Sequence, residues 1–191
     1  MIMDDFVKWV GDGRGNYVDM AGVVADSTPA PVGSALRLAL ADGLWHHRPG
    51  MTPQNPRYAD RVRHIFEAAP FVQHLGIQLV HCEPGRCETR MKIESWQLQQ
   101  TGVVHAGVQA TLADHTAGGA AGTLIAADQL VVSIEFKINL LRPATGDELR
   151  CRAVVLRPGT QISVVESEVF AVRGGEERLT AKAMVTLAVV A

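Results

Sequence analysis

From residue 131 the chain changes to a period of two. Val131, Ser133, Glu135, Lys137 and Asn139 alternate with Val132, Ile134, Phe136, Ile138 and Leu140. That alternation predicts a half-buried strand of about ten residues. Three further strands are predicted at 148–157, 161–172 and 178–190. Turn signals separate them: Arg142-Pro-Ala-Thr-Gly-Asp147, Pro158-Gly159 and Gly174-Gly175. Upstream, residues 57–69 place Tyr58, Val62, Ile65 and Phe66 on one face of an amphipathic helix. Pro70 is expected to stop that helix. Residues 71–76 then lead into a strand at 77–82, a turn at Glu83-Pro-Gly-Arg86 and a second strand at 87–93.

Between a polar loop at 94–102 and the long strand lies a helix built almost wholly of small residues, 102–125. Gly118, Gly119 and Gly122 sit inside it, each costing roughly 1 kcal/mol against Ala in a helix interior. Such a cost is tolerated where another backbone comes too close for a side chain. A helix this apolar all round should be buried, yet Asp114 interrupts it nine residues after His105. The helix alone leaves two readings open, a satisfied core carboxylate or a reactive one. The element order is helix, two strands, long helix, four strands. It predicts an α+β domain with an antiparallel sheet and the helix on one face.

Residues 1–56 read as an N-terminal extension with a Pro-rich linker, and 57–191 as the main domain. Ser34 is a plausible N-cap for a helix at 35–44, and three prolines mark 48–56. The Gly-rich run 11–16 has neither a clear preceding strand nor a following GK[ST], so it is a loop and not a phosphate cradle. Among the 191 residues, 20% are charged and the net charge is -2. That balance points to neither a nucleic-acid partner nor an anionic membrane. The acidic start lacks a basic n-region and an apolar h-region, so a cytoplasmic protein is expected. Cys82, Cys87 and Cys151 form no CxxC and read as reduced thiols, not metal ligands.

The stretch Gly102-Val-Val-His105-Ala106-Gly107, followed after six intervening residues by Asp114, resembles the G-x-x-H-G-G-x6-D signature of phenylacetate-degradation (PaaI-like) acyl-CoA thioesterases. The flanks agree in order: Leu75-Gly76-Ile77, Pro84-Gly85-Arg86, Leu141-Arg142-Pro143-Ala144 and Arg157-Pro158-Gly159. The resemblance covers residues 60–190. It implies a hotdog fold, a long central helix wrapped by a curved antiparallel sheet, here with an N-terminal helical extension.

The resemblance also implies a chemistry. An acyl-CoA would be hydrolysed to a carboxylic acid and free coenzyme A, with no metal or other cofactor. Asp114 matches the catalytic carboxylate, as general base or nucleophile. The Ala106 N–H, where relatives have Gly, matches the oxyanion donor at the helix N-terminus. Gln99 stands where relatives commonly have Asn, Ser133 where some have a water-positioning Ser, and His105 orients the loop. Gly107, Leu140, Arg142, Arg157, Gly159 and Thr160 match substrate-contacting positions, the two arginines being suited to phosphates. A homodimer or dimer of dimers with shared sites is implied. Two rival readings stay open, a hotdog enoyl-CoA hydratase and a non-catalytic acyl-CoA-binding or scaffold protein.

Overall fold

A computed structural model of the chain describes residues 51–191. The helix expected at 35–44 and the loop at 11–16 lie outside the described residues. The described elements are helix α1 (Tyr58–Ala68), helix α2 (Pro70–Leu75), strands β1 (Gln78–Glu83) and β2 (Arg86–Lys92), a short 3-10 turn (Ser95–Gln97), helix α3 (Ala106–Gly122), and strands β3 (Leu130–Leu140), β4 (Glu148–Arg157), β5 (Ile162–Arg173) and β6 (Glu176–Val190). All six strands form one antiparallel sheet in the order β1-β2-β4-β5-β6-β3. The sheet wraps α3, which lies against β2, β4, β5, β6 and β3. This is the predicted α+β hotdog architecture.

Pro70 ends α1 and also starts α2. Its fixed φ and missing N–H suit the first helical position. Gly76, at φ 77, closes α2 in the left-handed region, its N–H bonding the Gln73 carbonyl. The expected lead-in at 71–76 is therefore a helical turn. The domain's packing also begins upstream of Arg57. Asn55 is buried, its Oδ1 accepts the Arg57 N–H at 2.9 Å, and Met51 packs against the core.

The core lies between α3 and the concave face of the sheet. Leu149, Cys151, Ala153 and Val155 of β4 and Val165 and Val169 of β5 are fully buried beneath Leu112, Ala113, Ala117 and Ala120 of α3. Phe66 and Val62 of α1 are buried in the same cluster. Gly119 explains how close this packing is. A Cβ there would lie 2.8 Å from Cys87 Sγ and 3.0 Å from Phe66 Cε2. Gly118 and Gly122 are different: the first meets nothing within 4 Å and the second only Val62 at 3.8 Å. Close approach therefore accounts for one of the three glycines.

The long strand departs most from expectation. It lies at the sheet edge, and both of its faces are largely exposed. Leu130, Val132, Ile134, Phe136 and Leu140 are all exposed. Its alternation is also broken, by a register shift between Ser133 and Glu135. Ser133 pairs with Leu187, while Phe136, Ile138 and Leu140 pair with Val185, Ala183 and Ala181. All four partners are buried toward α3. Residues directly opposite across strands share a face, so the bulge turns Ser133 to the helix side together with Phe136, Ile138 and Leu140. Uninterrupted alternation would group Ser133 with Glu135 and Lys137.

Candidate active site

The N-terminus of α3 is set by the loop before it. Leu98 and Val104 form an isolated bridge, the Gln99 N–H bonds the Val103 carbonyl, and Gly102, at φ 79, makes the turn. The His105 N–H bonds the Gln97 carbonyl at 2.9 Å. Buried Gln97 anchors the loop: its Nε2 donates to the Leu75 carbonyl at 3.1 Å and its Oε1 accepts the Glu94 N–H at 2.9 Å. Gln97 was not among the expected residues. The E-x-x-Q spacing from Glu94 to Gln97, a capping box closed in this turn, was the available signal.

His105 is the N-cap, and its Nδ1 accepts the Gly107 N–H at 2.9 Å. A Cβ at Gly107 would sit 3.1 Å from that nitrogen, so the cap favours glycine. The Gly107 N–H is thus engaged. The Ala106 N–H has no acceptor among the described residues, and no non-glycine residue there has positive φ. A free N–H in the first turn, at the positive end of a 17-residue helix, is suited to a developing negative charge. Gln99 lies in the same loop, its Nε2 donating to Thr101 Oγ1 at 2.8 Å. Leu140 and Arg142 adjoin this end as well. The Arg142 N–H bonds the Thr180 carbonyl, and Thr180 Oγ1 donates to Gln109 in the first turns of α3. The Arg142 guanidinium donates to the Leu179 carbonyl at 3.2 Å.

Two turns further along α3, Asp114 is half-buried. Ser133 Oγ donates to its Oδ1 at 2.7 Å. The two residues border a cavity of about 220 Å³, shared with His115, Gly118, Ile65 and Val132. His115 stands edge-on to Phe66, with ring centroids 4.5 Å apart. Burial pushes its imidazole pKa down, and the neighbouring Asp114 carboxylate opposes this only in part. His115 Nε2 is buried without a partner among the described residues. A proton carried on Nδ1 leaves Nε2 as a bare acceptor, so no buried donor is stranded. Arg61 bounds the same cavity, but its guanidinium donates to the carbonyls of Ala126, Ala127 and Gln129. It thereby clamps the segment between α3 and β3.

Gly159 and Thr160 lie in the turn between β4 and β5, on a separate cavity of about 350 Å³ with Met51, Leu124 and Ile125. A Cβ at Gly159 would stand 2.1 Å from the Ile162 carbonyl oxygen, so the turn itself demands glycine. Arg157 opens the same turn and is exposed. Within one protomer the expected residues therefore fall into three groups: Gln99, His105, Ala106, Gly107, Leu140 and Arg142 at the start of α3, Asp114 and Ser133 at its middle, and Arg157, Gly159 and Thr160 toward its end. Among the described residues no group of His, Cys, Asp and Glu could hold a metal ion. No described helix is long and apolar enough to cross a membrane.

The sheet wrapped around α3 and the capped helix start define a hotdog protein, and the comparisons give its family. The profile of the thioesterase superfamily matches residues 101–178. A thioesterase family protein from Silicibacter pomeroyi is 37% identical, with a TM-score of 0.68 over 70% of this chain and 98% of its own. The proofreading thioesterase EntH of Klebsiella pneumoniae is 33% identical over 104 residues, 54% of this chain and 75% of that protein. The E. coli PaaI protein of the phenylacetic acid degradation operon shares the fold, at 21% identity and a TM-score of 0.64, over 72% of this chain and 96% of its own. The chain belongs to the thioesterase superfamily, in a hotdog fold, and its relatives support thioester hydrolysis in general as its chemistry.

Proposed function

We propose that the protein hydrolyses acyl-CoA thioesters to a free carboxylic acid and coenzyme A in the cytoplasm, without a metal or further cofactor, at sites shared by two protomers. The Asp114–Ser133 contact beside a cavity carries the reading. It holds one carboxylate oxygen and leaves Oδ2 for chemistry. Asp114 takes a proton from water as the water oxygen bonds to the thioester carbon. Charge gathers on the carbonyl oxygen and is received by the Ala106 N–H. The C–S bond then breaks, and the departing sulfur takes the proton from Asp114. In the alternative route the same carboxylate attacks the thioester carbon, expelling the thiolate and forming an anhydride, which water opens at the Asp114 carbonyl. Isotopically labelled water separates the routes in a single turnover, since only the second labels Asp114.

Eight residues separate Ala106 from Asp114, roughly 12 Å along a helix at 1.5 Å per residue. That is too far for both to touch one carbonyl group. A partner protomer related by a two-fold axis supplies the missing half. Asp114 of one chain then meets Ala106, Gln99 and the His105-capped loop of the other, with Gln99 orienting the water or the thioester. Leu140, Arg142, Arg157, Gly159 and Thr160 contact coenzyme A in this reading, the arginines taking its phosphates.

The test is thiol release over a panel of acyl-CoAs with wild type and Asp114→Asn. The variant is isosteric and should fold, and should lose about 10²- to 10⁴-fold in kcat. Activity within a factor of about three of wild type would remove Asp114 from the chemistry and favour a binding protein.

A further inference from the structure

One glycine at the cavity beside Asp114 is not required by packing. Gly118 lies one turn beyond Asp114 on α3 and borders the same cavity, and a Cβ built on it meets nothing within 4 Å. The adjacent Gly119, by contrast, is required by contact with Cys87 and Phe66. Packing within the protomer therefore does not explain glycine at 118, and glycine is a poor helix residue. What its absent side chain leaves is space next to the carboxylate.

The walls of that space are apolar: Ile65, Ile125, Leu130, Val132 and Leu187. His115 is the polar wall, its ring fixed against Phe66. Burial lowers its pKa, so the ring is neutral near pH 7 and adds no charge. The Arg61 guanidinium is committed to three carbonyls. Asp114 is then the one charged group at the cavity without a cationic or backbone partner.

We propose that Gly118 is the specificity-determining residue of this thioesterase, holding open a socket for a compact, uncharged acyl group. The inference rests on the reading of Asp114 as the reacting carboxylate. A protein cavity of about 150 Å³ holds a benzene ring, and this one measures about 220 Å³. By that ratio the socket takes one ring with one or two further carbons, or an unbranched chain of up to roughly eight carbons.

The experiment measures kcat/KM for acetyl-, octanoyl-, phenylacetyl- and palmitoyl-CoA with wild type, Gly118→Ala and Gly118→Val. Wild type should prefer octanoyl- and phenylacetyl-CoA to palmitoyl-CoA. In Gly118→Val, the octanoyl-to-acetyl and phenylacetyl-to-acetyl ratios should each fall roughly tenfold or more, the scale of one or two methylenes in an apolar pocket. Gly118→Ala guards against misfolding by the β-branched variant. It should melt at or above the wild-type temperature and move the same ratios in the same direction by less. Ratios unchanged in both variants, or a wild type that favours palmitoyl-CoA, overturn the inference while leaving Asp114 in place. A wild type inert toward all four thioesters overturns the acyl-CoA reading, and this inference with it.

Discussion

Ser133 and Asp114 are 19 residues apart in the chain and 2.7 Å apart in space. One hydrogen bond to a charged group is worth about 1.5–3 kcal/mol, most of which matters here as orientation of the free oxygen. Ser133→Ala should therefore lower kcat roughly tenfold, well short of the loss in Asp114→Asn. Its melting temperature should stay at the wild-type value, because Ser133 is exposed. A kcat within about twofold of wild type would detach Ser133 from the carboxylate's work. His115 makes a different prediction. Its folded pKa lies below the ordinary 6.5, so below that pH the unfolded chain binds the extra proton more readily than the folded one. Stability from neutral His115 is present above pH 6.5 and is lost as the pH falls toward the folded value. The groups facing it are Asp114, which favours the charged ring, and uncharged Phe66. His115→Leu should flatten the fall of the melting temperature between neutral and mildly acid pH. An unchanged slope would mean that the imidazole does not titrate with folding.

The elements differ in how much of them the sequence announced. The small-residue helix, the β1–β2 hairpin and the last three strands follow from periodicity and turn residues, because each pattern is local. Their candidate site residues could be named for the same reason: His105, Ala106, Gly107 and Asp114 lie in one contiguous motif. The bulge in β3 was not legible, since it exists only against the register of β6. The exposure of β3 was hidden too, because an alternating strand looks the same whether its apolar face meets its own core or nothing in the protomer. The division among the glycines required the fold as well. It gives a prediction at this scale: Gly119→Val would drive methyls into Cys87 and Phe66, and should destabilise by about 1–3 kcal/mol or more. Chemical denaturation of that variant beside Gly118→Ala should show opposite signs. Equal effects would mean that α3 is not seated as described.

The whole molecule has two unlike regions of sheet. On the outer face of β2, β4 and β6, Arg150 and Arg152 bond Glu177 at 2.6 and 2.7 Å, and Glu88 joins them. Burial alone would raise the Glu177 pKa, but the two arginines outweigh it and bring the carboxyl down. That face is satisfied and solvated. The β3 edge has exposed apolar side chains along its length and unpaired backbone groups on its outer side. Long apolar edges are covered in stable proteins, and a two-fold axis at β3 would cover this one with its own copy. The same axis would reconcile the roughly 12 Å along α3 between Ala106 and Asp114 with a single reaction centre. The decisive measurement is complementation. Asp114→Asn and Gln99→Ala protomers, each nearly inactive alone, should recover activity on mixing, because every heterodimer holds one site with both residues intact. Subunit exchange is verified separately by a tag or by mass. A quarter of wild-type turnover is the ceiling: random pairing makes half the dimers mixed, each with one intact site of two. Dead variants that exchange subunits without any recovery would keep the carboxylate and reject the shared site. A wild type that stays monomeric by light scattering at micromolar concentration while hydrolysing thioesters would reject the axis as well.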